Sequence, residues 1–110
     1  MPATRSSLKT EKKPEGLRLV PREDLVASTV EALRTSLSKA LEGAKGGIIL
    51  DLTRVHQIDS LGITLVLGLF KTCQKQGLEF RIEGAHPDIQ RVFKLFNLTK
   101  FFSVAEAARE

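Results

Sequence analysis

The residues with the clearest capacity for chemistry lie in one run, Val55-His56-Gln57-Ile58-Asp59-Ser60-Leu61-Gly62. The run follows a strand-like apolar segment and opens a helix-like one. In open α/β sheets, sites collect where strands lead into helices. Ser60 falls at or beside the helix N-terminus, where backbone N–H groups are unpaired and the helix dipole favours negative charge. Asp59 or Ser60 would serve there as a plain N-cap. Ser60 would also serve as a phosphoryl acceptor, gaining about −1.5 to −2 charges at neutral pH. A helix end tolerates that charge. A partner packed on Leu61 and Gly62 would instead meet a desolvated dianion, at a cost of several kcal/mol. Each ~1.4 kcal/mol is a tenfold loss of affinity, so one phosphate suffices for a binding switch. Gly62 costs its helix about 1 kcal/mol against alanine, which marks a place where another surface comes close.

Other reactive side chains read as structural. Cys73, one turn after Leu69, has no Lys, Arg or His placed in sequence to lower its pKa and reads as a buried thiol. His56 and His86 fall in expected loops without a third group to orient a catalytic pair. Asp51 reads as a strand-end hydrogen-bonding carboxylate, and Thr53 and Thr64 are bare threonines that a second phosphorylation would need. One Cys and two His exclude a disulfide framework and a multi-ligand metal centre within the chain. No catalytic triad or phosphate-cradling loop is recognisable, so an enzyme is not expected, nor is a cofactor.

These residues need a scaffold. The chain has 110 residues, 42% apolar and 27% charged, which suits one folded domain. No apolar run approaches the ~18 residues of a membrane span, and no secretory signal is recognisable, which points to a cytosolic protein. Residues 1–16 are polar, with Pro2 and Pro14, and read as a flexible basic tail; residues 17–110 read as the domain. Five basic residues up to Arg18 face Glu11 and Glu15, so that stretch carries +3 of the net +4. The sparse charge, without aromatics, reads as a solvated tail rather than a nucleic-acid arm.

Leu17–Val20, closed by Pro21, reads as a strand. Ser28 and Glu31 form a capping-box pattern before a helix with Val30, Leu33, Leu37, Ala40 and Leu41 on one face. Ile48–Leu52 is nearly continuously apolar, as in a central strand covered on both faces. Leu61–Gln76 is a helix apolar on more than one side. This belt is enclosed, or else Ile63, Val66, Leu67 and Phe70 form part of a docking surface. Leu78–Glu83 alternates as a half-exposed strand. Pro87 opens a third helix with Ile89, Val92, Phe93 and Phe96 as its core stripe and Asn97 as its stop. Phe101–Val104 reads as a last strand and Ala105–Arg109 as a frayed helical end. Alternation of strands and helices predicts an α/β fold, a single-layer, mostly parallel sheet with helices packed against it.

From about Leu17 to Val104 the chain resembles a STAS domain, the module of bacterial anti-sigma factor antagonists. The resemblance rests on Gly47–Thr53 as the central strand, on Ile58-Asp59-Ser60-Leu61-Gly62 as the Asp-Ser-x-Gly signature, on the turn through Gly77, and on Pro87–Phe93 with Asn97-Leu98. It implies a SpoIIAA-like fold and a partner switch. The unmodified antagonist binds an anti-sigma factor, usually a GHKL-type serine kinase. The kinase phosphorylates the signature serine, here Ser60, and the antagonist releases it; a serine phosphatase resets the cycle. Ile58, Asp59, Ser60, Leu61 and Gly62, with Asp24 and Leu25 before the first helix, would border the partner. The chain itself is expected to be a monomer or weak dimer that regulates transcription without contacting nucleic acid directly. Family members often carry an aspartate just before the first helix; Val26 stands in its place, and Asp24 is no obvious substitute. The rival reading is a STAS subunit of another assembly, either a stressosome scaffold or the small partner of a lipid-transport ATPase.

Overall fold

In a computed structural model that describes residues 8–100 and 103–106, five strands form one sheet in the order β1-β2-β3-β4-β5. The strands are β1 Leu8–Lys13, β2 Gly16–Pro21, β3 Gly47–Asp51, β4 Glu79–Ala85 and β5 Ser103–Glu106. The helices are α1 Ala27–Leu41, α2 Ser60–Lys75 and α3 Pro87–Leu95, followed by a 3-10 turn, Leu98–Lys100. β1 pairs antiparallel with β2, and every later pairing is parallel. The expected mostly parallel α/β sheet is present, and the strands expected at Leu17–Val20, Ile48–Leu52 and Leu78–Glu83 lie within a residue or two of the observed ones.

The N-terminal boundary is corrected. Residues 8–13, read as tail, are an edge strand, and Leu8 is buried in the core. A tight turn at Pro14-Glu15 lets β1 fold back on β2, with Lys13 opposite Gly16. Residues 1–7, the rest of that expected tail, lie outside the described residues. At the other end Ala105 and Glu106 continue β5 rather than a helix. Phe101, Phe102 and residues 107–109 of those two expected elements lie outside the described residues.

The strand alternation sends Leu19, Leu50 and Ile82, which are in register, to one face, together with Ile48. All three helices supply the same core: Val30, Leu33, Leu37 and Leu41 from α1, Ile63, Leu65, Val66, Leu69 and Cys73 from α2, Ile89 and Phe93 from α3. The belt of α2 is therefore mainly enclosed, with Leu67 and Phe70 half-buried at its edge.

Among the described residues the opposite face carries no helix, so the expectation that β3 is covered on both faces by packed elements is corrected. There Ile49 lies in register between Arg18 and Arg81, long side chains whose stems shield apolar surface. Arg18 bridges three strands, its two terminal nitrogens 2.8 Å from Asp51 and 2.8 Å from Glu83, and Arg81 Nε lies 2.8 Å from Glu83. Ile49 stays buried under this lattice of charge.

The third helix is shorter than its stripe implied. It ends at Leu95, and Asn97 takes a left-handed φ of 58° as expected of a stop. Phe96, expected in the core, falls on this terminus and is half exposed, as is Leu95 beside it to a greater degree.

Candidate functional site at the joined starts of two helices

The segment before α1 and the loop before α2 run side by side. Leu25 and Ile58 form a parallel bridge: the Leu25 N–H donates to the Gln57 carbonyl and the Asp59 N–H to the Leu25 carbonyl, each at 3.1 Å. Asp24 fastens the same loop, one carboxylate oxygen accepting the N–H groups of His56 at 2.8 Å and Gln57 at 3.2 Å. Short-range pattern cannot reveal such pairings, since they join residues more than 30 positions apart.

Asp59 caps α2, its Oδ1 accepting the Gly62 N–H at 3.0 Å. Its Oδ2 accepts the Ala27 N–H, the first of α1, at 2.9 Å. The Gly62 amide first, and then that of Ala27, hold the Asp59 carboxyl below its ordinary pKa against the opposing effect of burial.

The start of α1 differs from expectation. Val26, not Ser28, is the N-cap, so Ser28 lies inside the first turn and Glu31 pairs with Arg34 at 2.6 Å. Thr29 does part of the capping work that Val26 cannot: its hydroxyl accepts the Val26 N–H at 3.1 Å and donates to the Asp24 carbonyl. Sequence reading missed Thr29. The signal was a hydroxyl three residues past an apolar N-cap, masked by the better-looking Ser28/Glu31 pair.

Gly62 is explained by the chain itself. A β-carbon there would collide with the carbonyl oxygen of Leu25 and crowd Ile58. The close approach read from the sequence is therefore internal. Leu25 and Gly62, expected at a partner surface, are buried, and Ile58, Asp59 and Asp24 are half-buried members of the frame. The two outward members are Ser60, which is exposed, and Leu61, 49% exposed. Among the described residues the Ser60 hydroxyl has no hydrogen-bond partner. The other candidate acceptors are engaged: Thr64 donates to the Ser60 carbonyl at 3.0 Å and Thr53 to Asp51 at 2.5 Å.

His56 and His86 stack, ring centroids 4.8 Å apart and planes 21° from parallel, and His86 Nε2 lies 2.6 Å from the Thr53 carbonyl. The pair ties the loop before α2 to the start of α3. Cys73 is fully buried, and burial pushes its thiol up to about 11. Among the described residues no group of three or more metal-ligating side chains converges, and no helix is long and apolar enough to cross a membrane.

Among the described residues, a five-stranded sheet with its helices packed on one face, and an exposed serine opening α2, define a small α/β domain. A model of the STAS domain matches residues 7–110, and the chain belongs to that family. Over 57 residues, 52% of this chain and 59% of theirs, it is 35% identical to the "Intermembrane phospholipid transport system binding protein MlaB" of Escherichia coli (strain K12) and of Shigella flexneri. That match spans less than two thirds of those relatives. Similar solved structures include an anti-sigma factor antagonist from Mycobacterium paratuberculosis, with TM-score 0.80 and 17% identity over 89% of this chain and 83% of that one. SpoIIAA, an anti-sigma factor antagonist in its unphosphorylated form, gives 0.72 and 22% over 94% and 89%. An anti-sigma-factor antagonist (STAS) domain protein from Planctomyces limnophilus gives 0.79 and 16% over 92% and 91%. At these identities the structural likeness establishes the fold.

Proposed function

We propose that this chain is a non-enzymatic docking module whose partner contact centres on Ser60 and Leu61, and that phosphorylation of Ser60 releases the partner. The observation that carries the reading is the contrast at the rim: Asp24, Asp59 and Thr53 spend their polar atoms on the chain's own frame, while the Ser60 hydroxyl faces outward. In this reading the partner is an anti-sigma factor, a serine kinase of the GHKL type. It transfers the γ-phosphoryl of ATP to Ser60 Oγ, with loss of the hydroxyl proton and release of ADP, and a serine phosphatase hydrolyses the ester. The module then acts on transcription through its partner and works in the cytoplasm.

A second reading is favoured by the sequence match over 57 residues. Here the chain is the small STAS partner of a phospholipid-transport ATPase and binds through the same rim without a kinase. Val26 in place of the usual aspartate, with Asp24 already committed to the loop, supports it.

Incubation with candidate GHKL kinases and ATP, read by mass spectrometry, separates the two. Phosphate on Ser60 supports the first reading; no transfer, with stable co-purification with a transport ATPase, supports the second. Under the first, Ser60→Ala binds the kinase as the native chain does and Ser60→Asp binds about a hundredfold more weakly. Equal affinities of the two variants in a titration would remove the switch.

A further inference from the structure

The two helices that meet at the rim are not capped independently. The N–H of Ala27, the first of α1 and one that no N-cap side chain at position 26 would reach, is taken by Asp59, 32 positions on. The other oxygen of the same carboxylate holds the Gly62 N–H. Ser60 is the next residue, at the first position of α2. We infer that Asp59 is a positioning residue that couples Ser60 to α1, so that a phosphoryl group on Ser60 draws the Asp59 cap away from Ala27 and loosens the first turn of α1.

Two forces act together. A phosphate bears about −1.5 to −2 charges and competes for the same N-terminal amides of α2 that Asp59 now holds. It also repels the adjacent carboxylate, since like charges at such range disfavour each other. Asp59 has two oxygens on two helices, so displacing it from α2 moves the cap of α1. The inference deepens the reading of Ser60 as the control point and rests on it for its use. Its test does not depend on any kinase.

The experiment is amide hydrogen exchange by NMR on the full chain, with phosphoserine installed at position 60 by chemical ligation. Ala27 should be protected in the unmodified chain despite its exposed first-turn position. Phosphoserine should speed its exchange about tenfold or more. Ser60→Ala should leave Ala27 unchanged, and Asp59→Ala, which removes both acceptor oxygens, should speed it without any phosphate. The inference is overturned if phosphoserine leaves Ala27 protected, if Ser60→Ala deprotects Ala27, or if Asp59→Ala does not. Absence of kinase transfer to Ser60 would defeat the switching reading while leaving these exchange rates to decide the coupling.

Discussion

Two glycines of α2 show how one residue type carries opposite meanings. At Gly62 the Leu25 carbonyl occupies the space a β-carbon needs; at Gly68 nothing lies within 4 Å. Gly62→Ala should therefore lower stability by about 2–3 kcal/mol through overpacking, whereas Gly68→Ala should raise it by up to about 1 kcal/mol through helix propensity. Urea unfolding of both variants checks the pair, and equal effects would contradict the geometry. Cys73 follows the same logic of enclosure. Its buried, upward-shifted thiol should react with a thiol reagent at pH 8 only as the chain unfolds, at a rate that rises with urea. Prompt labelling of the folded chain would show an opening of α2 against the sheet. The sequence singled out Ser60, Asp59 and Gly62 because their types and spacing are local facts. It misassigned what Gly62 faces, because Leu25 lies 37 positions earlier, and no local pattern encodes that pairing.

At the scale of elements, apolar periodicity made α2, β3 and β4 legible, and charge concealed β1. Lys9, Thr10, Glu11, Lys12 and Lys13 read as solvated tail, yet charged residues are what an edge strand uses to avoid pairing with a second sheet. The strand is anchored by Leu8, 6% exposed and part of the main core. Leu8→Ala should cost about 2–3 kcal/mol in urea unfolding, where a flexible tail would register nothing. The start of α1 was misplaced for a related reason. Ser28 and Glu31 make a good local cap, but the Leu25–Ile58 bridge and the Asp59 carboxylate begin the helix at Ala27. Tertiary pairing outweighs a cap of about 1 kcal/mol. Phe96 was misread in the opposite direction: it completes a helical stripe on paper, but the turn through Asn97 ends the helix before it.

For the whole molecule, the division between an apolar face under three helices and an opposite face braced by ion pairs sets how it responds to acid. Burial alone would raise the pKa of Asp51, but bonds from the Thr53 hydroxyl and amide and from Arg18 outweigh it and hold the carboxyl below its ordinary range. At Glu83 burial likewise acts to raise the pKa, but bonds and charge from Arg18 and Arg81 outweigh it, and this carboxyl is also lowered. A carboxylate whose folded pKa lies below its unfolded value of about 4 stabilises the fold above that value. The contribution disappears as pH falls through the folded pKa. With Asp59 lowered as well, the urea midpoint should hold steady between about pH 7 and 5 and drop below about pH 4. Asp51→Asn and Glu83→Gln should each lower the midpoint at pH 7, because Arg18 loses a partner, and each should lose less on acidification than the native chain. Were the native chain and both variants to lose stability in parallel below pH 4, the lattice across β2, β3 and β4 would not be what acid breaks, and the Asp59 clamp at the rim would be the next group to test.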